Sequence, residues 1–411
     1  MTKSNTFIRT NCDENTLTKQ HYKDTEMLPK DNTLPTMYWI PKLHKNPYKH
    51  CFISASSNCS TTNLSIHLTS AFTCIKELVI KYCEKTYQNS GVNYFWSVKN
   101  SIEVLDKLKS IKRPVSSIDN YDFSTLYTTL PHKLIKSKLG QLIKWSFKFS
   151  GLQFICCNKK QGFFSNITYK NHSSWTCDDM IKALNILLDN IFVRFGNIVY
   201  QQVIGIPMGT NCAPLIADLF LFCYERDFMK KLQNGTVQKS DKLISTFNDN
   251  SRYIDDILTI DNPQFLDYVD LIYPQELKLN KANNDSKYCP FLDLTIIIDS
   301  GKIKTKIYDK RDDFDFTITN FPFLDGDVPL APSYGVYISQ LVRFARVCST
   351  LDDFNERNLT ITSKLLQQGY RFHKLLTTFK KFCKRYEHLI SKYGVTRKQL
   401  ITKGISHPRF Y

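Results

Sequence analysis

Residues 252–261 read Arg-Tyr-Ile-Asp-Asp-Ile-Leu-Thr-Ile-Asp and put two adjacent carboxylates, Asp255 and Asp256, inside an alternating, strand-like apolar run. A buried carboxylate without compensation costs several kcal/mol, so a strand interior rarely holds two. The segment is therefore expected to form a β-hairpin whose turn carries the acids, where both reach one region of space. A divalent cation supplies the missing compensation. Mg²⁺ takes a few carboxylates and completes its octahedron with water and substrate phosphate, and two such ions hold the attacking and leaving oxygens of phosphoryl transfer. An aromatic-x-Asp-Asp string is weak evidence alone, and its surroundings must decide.

Upstream, YDFSTLYTTLP at residues 121–131 reads as a strand ending in a turn before Pro131, with Asp122 at the strand end and Tyr127 five residues later. Asp119 is a competing acid, but it lacks both the tyrosine at that interval and the apolar flanks. Tyr127 by itself also reads as a core aromatic. Between this segment and the Asp pair lies GIPMGTNCAP, residues 205–214, a Gly- and Pro-containing turn opening into a long helix whose first amides can meet a phosphate. Gly205 and Gly209 are equally readable as turn glycines supplying positive φ.

Around this centre, residues 1–35 read as a loose polar leader, with order expected from about Met37. Apolar positions from Leu64 to Tyr82 recur at helical spacing and predict a helix over 63–85. Residues 146–178 show little periodicity, and a helix is expected from Met180 to about Phe195. Residues 287–310 predict a hairpin turning at Asp299-Ser300-Gly301, and the chain from about Tyr337 onward reads as helical and basic.

At 411 residues and 42% hydrophobic, the chain can bury a sizeable core in two or three lobes. Its 55 Lys and Arg against 38 Asp and Glu, a formal charge of +17, favour a nucleic-acid or anionic partner. From Arg357 onward thirteen bases face one acid, Glu387, and Lys380, Lys381, Lys384 and Arg385 are candidate phosphate contacts there. A solvated helical face is the equal alternative. No apolar run reaches the length of a membrane span, and the N-terminus lacks the basic-then-apolar order of a secretory signal. Thirteen cysteines without paired C-x-x-C spacing suit reduced thiols, so the expected location is intracellular, nucleus or cytoplasm. Cys156, Cys157, His172 and Cys177 are a poor zinc set, because adjacent cysteines make poor tetrahedral ligands. A metal-dependent nuclease or phosphatase would need a water-activating site, and no His-rich cluster offers one.

Taken in order, these segments resemble the motifs lettered A, B and C of reverse transcriptases, in the form found in Penelope-like retroelements, relatives of telomerase. PKLHK at 41–45, the 205–214 turn, YIDDILTID at 253–261, FLDLTI at 291–296 and the run from YDKRDDF at 308–314 to LVRFARVCS at 341–349 all look like that family, from about Leu34 to the C-terminus. The resemblance implies an α+β right-hand polymerase fold with fingers at 36–120, a palm at 121–300 whose antiparallel sheet is backed by helices, an insertion at about 132–198, and a basic helical thumb at 301–411. No endonuclease domain is expected.

The implied activity is RNA-directed DNA polymerisation, with RNA template, DNA primer and dNTP as partners and cleavage left to a possible separate endonuclease. Asp122, Asp255 and Asp256 match the catalytic carboxylates that hold two Mg²⁺ ions, with Mn²⁺ as the alternative. Tyr127 matches the aromatic side chain beneath the sugar that excludes a 2′-hydroxyl. Phe123, Gly209, Lys45 and Lys281 match positions near the nucleotide, and Lys278 or Lys281 would protonate the pyrophosphate leaving group. Lys42, His44, Lys310 and Arg311 match template or primer contacts, whereas Asp293 is expected to be structural. One departure stands out. The family carries an arginine before Phe-Ile that grips the triphosphate, and here Cys51 precedes Phe52 and Ile53. A thiol replaces neither the charge nor the forked donors, unless Lys45, Lys49 or His50 partly substitutes. A nucleic-acid-binding relic is therefore the second expectation.

Overall fold

The computed structural model describes residues 6–25, 33–42, 49–237, 241–314, 316, 318 and 321–405. The chain divides into two compact units: Met1–Ser97 with Tyr121–Ile257 and Pro263–Lys281, and Val98–Asn120 with Leu258–Asn262 and Ala282–Tyr411.

In the first unit the helices Thr62–Ser90, His132–Ser150, Cys177–Asp189 and Ala213–Gln233 pack around one core. The helical spacing around Leu68, Phe72, Ile75 and Val79 predicted the first of these, and all four side chains are buried. Ala213–Gln233 is buried nearly all round, as expected of a helix at the centre of a large core. Two acids inside it, Asp218 and Glu225, consequently require buried partners. A five-stranded sheet in the same unit runs in the order Phe7–Arg9, Ile198–Gln202, Phe192–Phe195, Thr36–Lys42, Lys49–Ala55. A four-stranded sheet carries the candidate acids, in the order Ser251–Tyr253, Asp256–Ile260, Ile118–Phe123, Leu279–Lys281.

Three expectations from the sequence need correction here. The described part of the leader is ordered: Phe7–Arg9 pairs with Tyr200–Gln202, and the helix Glu14–Thr25 buries Leu17, Thr18 and His21. Hydrogen bonds do the work that apolar content does elsewhere, with His21 Nδ1 and Ser60 Oγ 2.7 Å apart and Leu34 N donating to Glu14 Oε1 at 2.6 Å. The helix after Met180 ends at Asp189, and Phe192–Phe195 is a strand, because the Gly196 turn (φ 60°) folds it onto Ile198–Gln202. The aperiodic stretch from 146 ends the preceding helix at Ser150 and then forms a small sheet, Gly162–Ser165, Phe154–Cys157, Ser173–Trp175. Its strands are too short for period-two alternation to register.

The second unit contains a three-stranded sheet, Tyr288–Phe291, Leu294–Asp299, Lys302–Ile307, where the sequence predicted a two-stranded hairpin. Its second turn uses Ser300 (φ 50°) and Gly301 (φ 77°), as expected. Helices Ser101–Ser110, Leu330–Val347, Leu351–Gln367, Phe372–Arg385 and Arg397–Ile405 accompany it. Thr350 caps Leu351–Gln367 by accepting from Asp353 N. Among the described residues, no helix is long and apolar enough to cross a membrane.

Candidate active site

Strands Ser251–Tyr253 and Asp256–Ile260 meet in a two-residue turn, Ile254-Asp255, so the acids occupy a hairpin tip as their burial cost requires. The neighbouring strand Ile118–Phe123 presents Asp122 beside this tip, with Phe123 N donating to the Asp255 carbonyl at 3.2 Å. Burial, followed by the negative charge of Asp122, raises the Asp255 carboxyl pKa above its ordinary value, while Lys42 and Arg252 work in the opposite direction. Two carboxylates in mutual repulsion in a partly dry site form a natural cation site. Among the described residues, no three His, Cys, Asp or Glu side chains enclose a metal by themselves. The pair nevertheless fits Mg²⁺, which is commonly bound through one or two carboxylates while substrate phosphates and water complete the shell. Asp256 opens the outgoing strand and is half-buried. Asp119, three residues before Asp122 and so on the opposite pleat face, is buried and accepts from Ser286 Oγ at 2.6 Å.

Tyr127 lies on the short helical turn Leu126–Thr129, half-buried, its hydroxyl pushed up to about 12 by burial and then by the charges of Asp255 and Asp218. That turn is tied to the glycine segment: Ile206 N donates to Tyr127 O at 2.7 Å, Gly205 N to Leu130 O at 2.8 Å, and His132 Nε2 to Gly205 O at 2.6 Å. On its other side the segment grips the strand Lys49–Ala55, with Ser54 N donating to Met208 O at 2.7 Å. Gly209 has φ 121°, and a Cβ there would lie 1.9 Å from the Ser54 carbonyl oxygen. The glycine is required by both conformation and close approach. Cys51 points at this turn, its sulfur 3.3 Å from Met208 Sδ.

Other predicted residues fall out differently. Phe123 is 2% exposed, edge-to-face with Tyr273 at 4.9 Å, so its side chain is core and unavailable to a nucleotide. Leu279–Lys281 pairs with Tyr121–Phe123 so that Asn280 opposes Asp122 and Lys281 opposes Tyr121. Pleat alternation therefore sets Lys281 on the Tyr121 face, while Lys278 lies just before this strand, its carbonyl accepting from Ser124 N at 2.9 Å. Lys42 is exposed at the end of Thr36–Lys42, in a strand pair that also exposes Tyr38, Trp39, Ile40 and Phe52. His44 and Lys45 lie outside the described residues. Of the zinc set, His172 Nε2 lies 2.9 Å from Asn158 Nδ2, Cys156 Sγ 3.4 Å from Ser174 Oγ, and adjacent Cys156 and Cys157 alternate across a strand.

In the second unit, Arg311 is engaged bidentately by Asp309 at 2.7 and 2.6 Å, and Asp309 also takes Arg357 at 3.1 Å. Arg311 is thus committed to an internal ion network rather than free for nucleic acid, whereas Lys310 is exposed. Asp293 pairs with Arg343 at 2.7 Å and is structural, as expected. Lys380, Lys381, Lys384 and Arg385 are all exposed on Phe372–Arg385, opposite its buried face of Leu375, Phe379 and Phe382.

The support behind the acids carries no motif of its own in the sequence. Arg252, entirely buried, binds Glu225 through Nε and Asp218 through Nη1 at 2.8 Å, and Lys76 reaches Asp218 from the other side at 2.6 Å. The signal was present as two acids, Asp218 and Glu225, on the apolar side of a core helix and one base in an apolar strand.

No family model matches the chain, and no curated protein does. The telomerase of Candida albicans, solved with a TWJ fragment of telomeric RNA, superposes with a TM-score of 0.56 at 12% identity, covering 98% of this chain and 67% of its own. Telomerase from Candida tropicalis in its apo form superposes at 0.45 with 12% identity, over 97% of this chain and 71% of its own. The RNA-dependent RNA polymerase 3Dpol of a Sicinivirus superposes at 0.37 with 13% identity, over 68% of this chain and 52% of its own. The first superposition establishes the α+β right-hand polymerase fold for this chain; the two looser ones add nothing to it.

Proposed function

We propose that this chain is the RNA-directed DNA polymerase of a Penelope-like retroelement, extending a DNA primer on an RNA template with dNTPs. The observation that carries the reading is the approach of Asp122 to Asp255 beside Tyr127, on a backbone tied to the Gly205–Gly209 segment. Asp122 and Asp255, with Asp256 beside them, are the residues that would hold two Mg²⁺ ions, which would supply positive charge to the attacking 3′-oxygen and the leaving group. Tyr127 places its ring under the sugar of the incoming nucleotide. The 205–209 backbone bonds the Tyr127 carbonyl on one side and the Lys49–Ala55 strand on the other. Lys278 or Lys281, just before and within the strand that pairs with Asp122, would protonate the leaving group. Lys42 and the exposed aromatics Tyr38, Trp39 and Phe52 suit a single-stranded template, which stacks on aromatic faces and draws cations to its phosphates.

The test is extension of a DNA primer on an RNA template with Mg²⁺ and dNTPs, with Asp255→Asn as control. Incorporation that follows the template and vanishes in the control supports the reading; folded protein that extends nothing in Mg²⁺ or Mn²⁺ overturns it. Cys51 supports a second reading, a relic that binds nucleic acid without synthesis. It would show salt-sensitive RNA binding and no extension even as Cys51→Arg.

Two variants refine the leading reading. Tyr127→Ala is expected to admit ribonucleotides: relieving an overpacked contact of about 1–3 kcal/mol corresponds to roughly a fivefold to hundredfold loss of discrimination. Competition between dNTP and NTP in the same extension assay reads it, and unchanged discrimination sinks the sugar-sensing role. Cys51 already touches the Met208 turn, so Cys51→Arg places a guanidinium near the incoming triphosphate. A charge-assisted hydrogen bond of about 1.5–3 kcal/mol should lower KM for dNTP by roughly tenfold or more. A KM that does not move removes Cys51 from the nucleotide site.

A further inference from the structure

Ile254 immediately precedes Asp255 and has φ 54°, a left-handed conformation in which a β-branched residue is a true outlier. Such conformations persist only where surrounding contacts over-determine them. Here the contacts converge on one side chain. Arg252 Nη1 donates to the Ile254 carbonyl at 3.1 Å and to Asp218 Oδ1 at 2.8 Å; Nη2 donates to the Asp218 carbonyl and to Glu225 Oε2, each at 3.1 Å; Nε donates to Glu225 Oε1. These five contacts use the five N–H donors of a guanidinium. The anchors are themselves held, Glu225 by the Tyr273 hydroxyl at 2.8 Å and Asp218 by Lys76 at 2.6 Å. Arg252 N also donates to Trp96 O at 2.8 Å, which fixes the strand that carries it.

A buried ion cluster is weak evidence for stability, since well-packed apolar residues often serve as well. Apolar residues would not grip the carbonyl that leads into Asp255. We infer that Arg252 is a positioning residue: anchored on the Asp218 and Glu225 carboxylates of the helix Ala213–Gln233, it holds Ile254 in its left-handed turn and so aims the Asp255 carboxylate at Asp122. The inference rests on reading Asp122 and Asp255 as the cation-holding pair. Lysine at 252 keeps the charge but concentrates its donors at one point, so it cannot span Glu225, Asp218 and the Ile254 carbonyl together.

The test uses the full chain, with Mn²⁺ affinity read by electron paramagnetic resonance and folding by thermal melting. Arg252→Lys is expected to stay folded and bind Mn²⁺ about tenfold or more weakly, the scale on which outer-shell partners act. Ile254→Gly added to Arg252→Lys should recover much of the lost affinity, because glycine adopts the turn without a clamp. Folded Arg252→Lys with wild-type affinity, or a double variant no better than the single, overturns the inference. If Arg252→Lys does not fold, the neutral set Asp218→Asn/Glu225→Gln/Arg252→Gln carries the same comparison, with and without Ile254→Gly. Asp255→Asn in the same titration separates the two claims. If it binds Mn²⁺ as wild type does, the pair is not the cation site and the proposed function falls with it. If it loses Mn²⁺ while folded Arg252→Lys keeps it, only the positioning role is overturned.

Discussion

Asp255→Asn is expected to lower nucleotide incorporation by about a thousandfold or more, the scale of several kcal/mol of metal-borne charge stabilisation, while melting no lower than wild type in metal-free buffer. The melting half follows from one observation. Burial and then the charge of Asp122 hold the Asp255 carboxyl pKa above its ordinary value, so between the unfolded and folded values the folded chain binds more protons than the unfolded one. Stability from this group is fully present below the ordinary carboxylate pKa and is lost as pH rises through the raised folded value. At neutral pH the ionised carboxylate therefore works against the fold, and asparagine removes that burden with the shape kept. Mg²⁺ should raise the melting temperature of wild type, because ligand binding to the folded state stabilises it, and should do so less in the variant. Melting curves at acid and neutral pH, with and without Mg²⁺, check the sign. A variant that melts lower than wild type without metal, or still incorporates nucleotides, would sink this account of Asp255.

How far the sequence reached follows from where each signal lies. The Asp pair was legible because two acids in an apolar run admit few solutions, and a hairpin tip is the simplest. Asp122, Tyr127 and Gly209 were legible from their order along the chain. Arg252 was not, because its meaning depends on Glu225 and Asp218, 27 and 34 positions away, which come beneath it only once the helix packs. The face that Lys281 takes depends on strand register, and a one-residue shift there exchanges the faces. Phe123 matched a position near the nucleotide, yet alternation sends it to the face opposite Asp122, where it packs on Tyr273. The leader misled through composition: Glu14 and His21 order it by hydrogen bonds to residues 34 and 60, and polarity alone does not reveal such partners.

The same dependence on distant backbone makes Gly209 the second place where a small change should have a large effect. A methyl group there meets two obstacles. The φ of 121° is a conformation L side chains rarely adopt, and the Cβ would sit 1.9 Å from the Ser54 carbonyl oxygen, a backbone atom that cannot rotate away. Relief requires the Ser54 N to Met208 O bond to stretch or break, moving the Lys49–Ala55 strand from the turn. Through Ile206 N and the Tyr127 carbonyl the disturbance reaches Tyr127, the residue proposed to sense the sugar. Strain of this kind is about 1–3 kcal/mol in stability, and a misplacement of about 1 Å at the reacting centre can cost roughly a hundredfold in rate. Gly209→Ala should therefore lose about two orders of magnitude in incorporation with only a modest fall in melting temperature. Gly196→Ala is the control, since Gly196 also has positive φ, 60°, but a Cβ there meets nothing within 4 Å. It isolates conformational strain from close approach, and should lose some stability with little effect on rate. If the two variants are indistinguishable in incorporation, the contact between Gly209 and the Ser54 strand does not shape the site, and positive φ alone explains the glycine.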